Sequence, residues 1–180
     1  MTLTTARLVL RPFAASDVDA YAAIRARPEV VSMLPDGAEA AARARADAER
    51  PVSVWAGAPP GAAPWAVEAR GDGRLLGHFG LRPLPELGGE TELLYMLDSG
   101  VRGRGLATEG GLAALGAAFG ALGLRRVIAP ARPENAASLA VMRKLGMRRE
   151  AEVHVFGVRA VRCAAHAAPP EGGAGACTTC

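Results

Sequence analysis

The segment that decides the fold reads Val101-Arg102-Gly103-Arg104-Gly105-Leu106-Ala107-Thr108-Glu109. It follows a strand-like run, Thr91 to Leu97, and it precedes a helix-like run whose apolar residues fall on one face: Leu112, Leu115, Phe119 and Leu122. Glycine lets a backbone approach an anion closely, and the free N–H groups of a first helical turn point at that anion. Because two arginines add positive charge, the segment predicts a phosphate-binding loop.

The kind of phosphate follows from what the loop contains. A nucleotide P-loop, G-x-x-x-x-G-K-[ST], needs a lysine that is missing here, and a dinucleotide fingerprint needs a third glycine where Thr108 stands. The loop fits R-x-x-G-x-A through Arg102, Gly105 and Ala107. That pattern is the pyrophosphate loop of the GNAT superfamily of acyl-CoA-dependent N-acyltransferases, and the chain resembles this family here.

Two further motifs extend the resemblance to about residues 5–155. The opening segment, Thr5 to Phe13, looks like the first strand of the branch that includes ribosomal-protein N-terminal acetyltransferases. The segment Pro133 to Ser138, followed by Lys144-Leu145-Gly146-Met147, resembles that branch's P-x-N-x-x-S…K-L-G-hydrophobic pattern. Three motifs in the same order and at the same spacing make the resemblance specific.

Composition bounds the class of protein. The chain has 180 residues, the size of one domain, and its net charge of +3 is too small to indicate nucleic-acid binding. It shows no signal peptide and no apolar run near the ~18 residues of a membrane span, so a cytoplasmic protein without a membrane partner is expected. Zinc-ligand types occur at Cys163, His166, Cys177 and Cys180. They lie in a segment without a structural framework, so no metal site is predicted.

Hydrophobic periodicity predicts one strand, two helices, three strands, then a helix, a strand, a helix and closing strands. Ser16 is expected to cap the first helix, and the second is expected to run from Gly37 to Arg50 and end at Pro51. The fold class is α/β (α+β): a mixed sheet of six to seven strands with helices on both faces. The resemblance implies that this sheet is splayed between its fourth and fifth strands. Residues 1–163 are expected to form one domain of the kind that the resemblance implies, a GNAT domain, and residues 164–180 a low-complexity, disordered tail.

The resemblance implies acetyl-CoA as the co-substrate. The residues expected to bind it come from the loop, the strand before it and the last helix: Leu97, Arg102, Gly103, Arg104, Gly105, Leu106, Ala107, Thr108, Asn135 and Ser138. Leu97 is included because the resemblance implies a backbone N–H donor to the thioester carbonyl between Leu94 and Leu97. The resemblance also implies that the fourth strand bulges there. Asn135 is also a natural helix N-cap. Arg143 and Lys144 either face the cofactor or form a solvated helix end favoured by the dipole.

Candidate catalytic residues follow from the needs of acyl transfer. The resemblance places Ser138 against the cofactor sulfur; alternatively, Ser138 is a small helical residue bonding back to a carbonyl. Glu92 is the candidate general base, acting directly or through water, or else an outward-facing strand residue. Glu109 is expected to be structural, in the first helical turn, and His78 to be packed or at the surface rather than catalytic.

The sequence therefore predicts an acetyl-CoA-dependent N-acetyltransferase. A primary amine, on a protein N-terminus or a small molecule, attacks directly in a ternary complex, because all three cysteines lie in the tail. The alternative is an acyl-CoA-binding sensor that has lost transfer. A homodimer is common for the fold.

The helix after the loop contains three glycines that disfavour it. Gly110, Gly111 and Gly116 each cost this helix about 1 kcal/mol relative to alanine, so the helix is expected to be more mobile without ligand.

Overall fold

The computed structural model describes residues 1–32, 39, 42–53 and 63–168. Their strands are β1 Leu3–Thr4, β2 Leu8–Arg11, β3 Trp65–Ala69, β4 Leu75–Leu84, β5 Glu90–Leu97, β6 Arg126–Ala131, β7 Arg148–Val155 and β8 Val158–His166. Their helices are α1 Val18–Arg25, α2 Pro28–Val31, α3 Ala44–Ser53, α4 Leu106–Phe119 and α5 Ala136–Lys144. None of these helices has the length and apolarity needed to span a bilayer.

All the strands join one mixed sheet in the order β1-β2-β3-β4-β5-β6-β8-β7. Neighbouring strands are antiparallel except β5 and β6, which are parallel. The predicted α/β class is confirmed, with eight strands among the described residues instead of six to seven. The additional strand is β1. It has only two residues, too few to show the alternating pattern by which a strand is predicted.

The sheet opens between β5 and β6. Eight residue pairs join β4 to β5, from Gly77↔Leu97 to Leu84↔Glu90, whereas β5 and β6 share the single position Glu92↔Ile128. The splay that the resemblance implies is therefore present, between the fifth and sixth strands once β1 is counted. The implied bulge in β5 is wrong, because its register with β4 runs through these pairs without a shift. The opening comes from the divergence of β6.

Helices cover both faces of the sheet. Tyr21 and Ile24 of α1 pack with Met96 on one face, and Leu106 and Leu115 of α4 pack in the main core on the other. The buried side of α4 consists largely of small residues: Gly110, Gly111, Ala114, Ala117 and Ala118. The predicted apolar face of this helix is wrong at one position, because Leu112 is 54% exposed. Small residues form the buried face, so Leu112 is left outside it.

The first two long helices of the structure, α1 and α3, differ in detail from the two helices predicted there. Ser16 does not cap α1; it lies in a 3₁₀ turn, and Asp17 is the N-cap residue. The Asp17 carboxylate accepts hydrogen bonds from Arg11 and from the Ala14 N–H group, which fixes the turn in place of a serine cap. Burial pushes the pKa of Asp17 upward, but these hydrogen bonds outweigh it and lower the pKa.

Pro51 does not end the second predicted helix, because α3 extends to Ser53. A proline near a helix end removes only one hydrogen bond, that of its missing N–H. The predicted start near Gly37 and most of the predicted loop from Ala56 to Pro64 lie outside the described residues.

The last strand is longer than the sequence indicates. β8 reaches His166, and Ala164 and Ala165 are buried opposite Ile128 and Val127 of β6. The domain boundary placed after Cys163 is therefore three residues short of the strand end. Alanine-rich composition resembles low complexity, but small side chains also suit a strand packed between two neighbours. Residues 169–180 lie outside the described part of the chain.

Candidate active site

The loop before α4 has the geometry of an anion site. Gly103 and Gly105 both have φ of +75°, a left-handed conformation that suits glycine, and Gly105 is the N-cap of α4. The bond from the Glu109 N–H to the Gly105 carbonyl, 3.0 Å long, closes the first turn. The N–H groups of Leu106 to Thr108 precede it and have no acceptor within the helix. They are placed to bind phosphate oxygens.

A cavity of about 550 Å³ lies between this loop, the end of β5 and the start of α5. Every residue that the sequence analysis expects to bind the cofactor lines it, with the exception of Arg104. The Arg104 carbonyl accepts a hydrogen bond from Arg7 Nη1 at 2.8 Å, so this residue connects the loop to the N-terminal segment. Lys144 lines the cavity, whereas Arg143 does not.

The cavity has a second border that sequence patterns do not reveal. Arg102 Nη2 donates to the Glu29 carbonyl of α2 at 2.7 Å, and Val30 of the same helix lines the cavity. Asp98 is buried at the end of β5, where it accepts from the Gly100 N–H and pairs with Arg27 at 2.5 Å. The only sequence signal for Asp98 is its Asp-Ser-Gly turn; its arginine partner is far away in the chain.

Glu109 is structural, as predicted, but its main role is to anchor the N-terminal segment. Its carboxylate accepts from the Thr5 hydroxyl at 2.6 Å, from the Arg7 N–H at 2.8 Å and from Arg7 Nε at 2.6 Å. Burial raises the pKa of Glu109, but these hydrogen bonds outweigh burial and lower the pKa. Glu109 therefore remains charged in the first turn of α4, where the helix dipole favours a carboxylate.

The edge of β5 that faces the opening carries free backbone donors. The Asp98 N–H donates to the Leu76 carbonyl of β4 at 2.7 Å. Since N–H groups alternate between the two sides of a strand, those of Leu94 and Met96 also face β4. The N–H groups of Tyr95 and Leu97 therefore point into the opening, within the range Leu94 to Leu97 that the sequence analysis expects.

Ser138 is held from two directions at the start of α5. Its N–H donates to Asn135 Oδ1 at 3.0 Å, so Asn135 is the N-cap, as predicted. Its Oγ lies 2.7 Å from the Tyr95 hydroxyl on β5, a hydrogen bond that crosses the splay. The Tyr95 ring stacks on Phe79 with centroids 5.2 Å apart. Burial raises the pKa of Tyr95, an effect that the Ser138 hydrogen bond partly opposes. No sequence pattern indicates Tyr95, because its partner Ser138 lies 43 positions away in the chain.

A second cavity, of about 570 Å³, lies on the other side of this hydrogen bond. The residues that line both cavities are Tyr95, Met96, Asn135 and Ser138. Glu92 is buried and lines the second cavity, at the single position where β5 pairs with β6. Arg82 Nε donates to Glu92 Oε2 at 2.7 Å, so Glu92 is not an outward-facing strand residue.

His78 is packed beside the second cavity, in line with the sequence analysis. It is buried, and its Nδ1 lies 2.7 Å from the Tyr21 hydroxyl. Burial, together with the charges of Arg25 and Arg82, lowers the pKa of His78 to about 3. The ring is therefore neutral at physiological pH and binds a proton too weakly to serve as a base.

The turn between β7 and β8 contributes a strained aromatic residue to this cavity. Val155 pairs with Val158, so the loop has two residues, and both Phe156 (φ of 52°) and Gly157 (φ of 74°) are left-handed. Such a conformation costs a residue other than glycine about 1–2 kcal/mol. The Phe156 ring lies 5.3 Å from the Arg82 guanidinium, a cation–π contact at the cavity wall.

The cysteines offer neither a metal site nor a nucleophile within the described ranges. No group of three or more His, Cys, Asp or Glu residues is placed to hold a metal ion there. Cys163 does not belong to the tail; it is buried in β8, and burial raises the pKa of its thiol. Cys177 and Cys180 lie outside the described residues.

Comparison with known proteins identifies the class. A family model for the acetyltransferase (GNAT) domain matches residues 7–148, so the chain belongs to the GNAT family and is an acetyl-CoA-dependent acyltransferase. It is 30% identical to the uncharacterised N-acetyltransferase YnaD of Bacillus subtilis over 151 residues, which cover 83% of this chain and 84% of YnaD.

Solved structures support the same family. A GNAT acetyltransferase from Bacillus anthracis superposes with a TM-score of 0.76 at 25% identity, covering 92% of this chain and 98% of that one. Mycobacterium smegmatis RimJ, in complex with CoA-disulfide, gives 0.73 at 25% identity, with 89% and 82% covered.

Proposed function

We propose that the protein moves the acetyl group of acetyl-CoA to a primary amine, on a protein N-terminus or a small molecule, which attacks directly in a ternary complex. One observation carries this proposal: two cavities meet at the Tyr95–Ser138 hydrogen bond, in the opening of the sheet. One cavity has the phosphate-binding loop, so it suits the cofactor. The other is left for the amine, and the shared wall is where the two reactants come together.

The chain's residues fit acetyl-CoA in the first cavity. The N–H groups of Leu106 to Thr108 would hold its diphosphate, aided by the charges of Arg102 and Lys144. A Cβ at Gly103 would meet no atom of the described residues within 4 Å, so the loop presents bare backbone to an open space. Asn135, at the start of α5, is placed to contact the pantetheine arm.

The thioester supplies the acetyl group; transfer forms a C–N bond, breaks the C–S bond and releases CoA as the thiolate. The neutral amine loses one proton to a base, which passes it to solvent, and the thiolate takes up one proton from water to give the thiol. The Tyr95 and Leu97 N–H groups are positioned to donate to the thioester carbonyl, where negative charge develops. Ser138 donates a hydrogen bond to the departing sulfur, oriented by Tyr95. Glu92 is our candidate to accept the amine proton, directly or through water.

Direct attack, rather than an acetyl-cysteine intermediate, agrees with the position of Cys163. This thiol is buried in β8, and its raised pKa keeps it protonated, whereas a cysteine nucleophile reacts as the thiolate. Initial-rate patterns test this step: intersecting lines are expected when both substrates are varied, and parallel ping-pong lines would contradict it.

The decisive experiment follows CoA release over a broad panel of amines and N-terminal peptides. Release that requires an acceptor supports the proposal. Binding of acetyl-CoA without release for any acceptor would favour the sensor alternative. Ser138→Ala should lower kcat about tenfold or more while changing acetyl-CoA affinity little, and Ser32→Ala, an exposed serine outside both cavities, is the control. An unchanged kcat in Ser138→Ala would assign Ser138 to packing.

The phosphate loop is tested by Gly105→Glu, which adds a side chain and a negative charge where phosphate is expected. Calorimetry should show acetyl-CoA binding lost. The matched control is Gly123→Glu: Gly123 also has a positive φ, of +63°, and lines neither cavity. Affinity retained in Gly105→Glu would remove the loop from the proposed site.

Two further expectations stay predictions. The first is a homodimer, which sedimentation would detect. The second is a single functional domain, predicted for residues 1–163 and followed by a tail; a chain truncated after Ala168, past the end of β8, would test it by its retained acetyl-CoA binding.

A further inference from the structure

The charged residues that line the second cavity are mostly arginines. Three guanidinium groups line it, those of Arg25, Arg82 and Arg132, whereas Glu92 is the only carboxylate among its described lining residues. His78 is neutral there, because burial and, to a smaller extent, the charges of Arg25 and Arg82 lower its pKa.

The carboxylates that pair with two of these arginines lie outside the cavity lining. Arg25 pairs with Asp47, and its Nε is buried without a hydrogen-bond partner among the residues that the structure describes. Arg132 lies 3.8 Å from Glu134, longer than the roughly 2.7–2.9 Å of a charge-assisted hydrogen bond, so the contact is only electrostatic. Arg132 is 40% exposed and sits just after β6, where an entering molecule can reach it.

We infer that the acceptor is an amine that also carries a carboxylate, and that Arg132 recognises this carboxylate. The inference rests on the proposed function, because it assumes that the amine enters through the second cavity. A guanidinium binds a carboxylate through two parallel hydrogen bonds, which fixes orientation as well as adding affinity. With the carboxylate at Arg132, the amine is directed toward the wall shared with the cofactor cavity.

The same charges act on the amine itself. Nearby positive charge disfavours the ammonium form, so it lowers the pKa of the amine and increases the neutral fraction that can attack. A polyamine or an aminoglycoside would bring further positive charges toward three arginines, a repulsion that only Glu92 offsets among the described lining residues. The carboxylate can belong to a free amino acid or to an acidic side chain near a peptide N-terminus.

Matched acceptor pairs test the inference and distinguish these two sources. Free amino acids are compared with their amides, and C-terminally amidated peptides beginning with Asp or Glu are compared with those beginning with Asn or Gln. At saturating acetyl-CoA, kcat/KM should be at least tenfold higher for the carboxylate member of one pair. Which pair shows the preference identifies the source.

Reversing the charge of Arg132 tests whether this residue recognises the acceptor carboxylate. Arg132→Glu should abolish the preference while the affinity for acetyl-CoA stays unchanged, because Arg132 does not line the cofactor cavity, and Arg132→Gln should reduce the preference. The control Arg148→Glu makes the same charge change at an exposed arginine that lines neither cavity, and it should keep the preference.

Equal kcat/KM within every pair, or a preference that survives in Arg132→Glu, would overturn the inference and leave the proposed function intact. If no acceptor releases CoA although acetyl-CoA binds, the proposed function fails and the inference fails with it.

Discussion

Substituting alanine at Gly110 should destabilise the protein, although helix propensity favours alanine. An ideal Cβ at Gly110 would lie 2.5 Å from Phe79 Cε2 and 3.0 Å from two more atoms of the same ring. Phe79 is fully buried and stacks on Tyr95, so it has no open space to move into. Overpacking of this kind costs about 1–3 kcal/mol, while the propensity gain is about 1 kcal/mol.

Gly116 provides the matched control on the same helix. It is exposed, and a Cβ there would meet no atom of the described residues within 4 Å, so Gly116→Ala should stabilise by about 1 kcal/mol. Propensity cancels between the two variants, and the difference of about 1–3 kcal/mol in unfolding free energy is the packing cost. It corresponds to roughly 2–12 °C in Tm for a protein of this size.

The assay is urea unfolding followed by circular dichroism, together with thermal scans of both variants and the wild type. Equal stabilisation by Gly110→Ala and Gly116→Ala would refute the reasoning, because it would mean that the Phe79 contact yields at no cost. Gly110→Ala should also lower kcat, since Phe79 supports the tyrosine that contacts Ser138. Gly116→Ala should leave kcat unchanged.

Three further predictions concern the site and its surroundings. Tyr95→Phe should lower kcat about two- to tenfold, the value of one neutral hydrogen bond, while acetyl-CoA affinity stays constant; an unchanged kcat would show that the Ser138 contact is not used. His78 has a folded pKa of about 3 against 6.5 for the free side chain, so the unfolded state takes up the proton first as pH falls. Stability should therefore be full above pH 6.5 and fall by about 1.4 kcal/mol per unit below it, and urea unfolding of His78→Gln at pH 7, 6 and 5 should show a flatter slope. If the two slopes are equal, His78 does not titrate as described. Amide hydrogen exchange in α4 should slow when acetyl-CoA is added, and equal protection with and without it would contradict the ligand-dependent mobility.

Local motifs predict the parts of the site whose geometry is local. The loop from Arg102 to Thr108 combines two glycines and a helix start within seven residues, soon after the end of a strand, so the sequence alone predicts an anion site at a helix N-terminus. Asn135 is similar, because its N-cap bond reaches only to Ser138. These features depend on spacing along the chain, which the sequence states directly.

Contacts between distant segments are not visible in the same way. The Tyr95–Ser138 bond, the Arg102 contact with Glu29 and the ion pair of Arg27 with Asp98 each join elements brought together only by the sheet order and by the packing of helices on it. The exposure of Leu112 has another cause. In α4, alanine and glycine are spread around the helix, so the leucines alone do not identify the buried face.

The glycines of low helix propensity in α4 set the distance between the proposed phosphate-binding loop and the proposed reacting groups, Tyr95 and Ser138. Gly110 admits the Phe79 ring, which supports Tyr95 on β5. Gly111 faces Leu145, at the end of the helix that carries Ser138, and a Cβ there would lie 2.8 Å from a Leu145 methyl. A helix moves as a rod that rises 1.5 Å per residue, so a displacement at Gly110 is carried to the N–H groups that begin α4, only about 6 Å away. A misplacement of about 1 Å can reduce a rate by about 100-fold. Glycine at these two positions therefore keeps the start of α4 aligned with Tyr95 and Ser138, at the cost of low helix propensity. Gly111→Ala should accordingly lower kcat even at a temperature where urea unfolding shows that the variant is still fully folded. A kcat equal to that of the wild type under those conditions would contradict this reasoning.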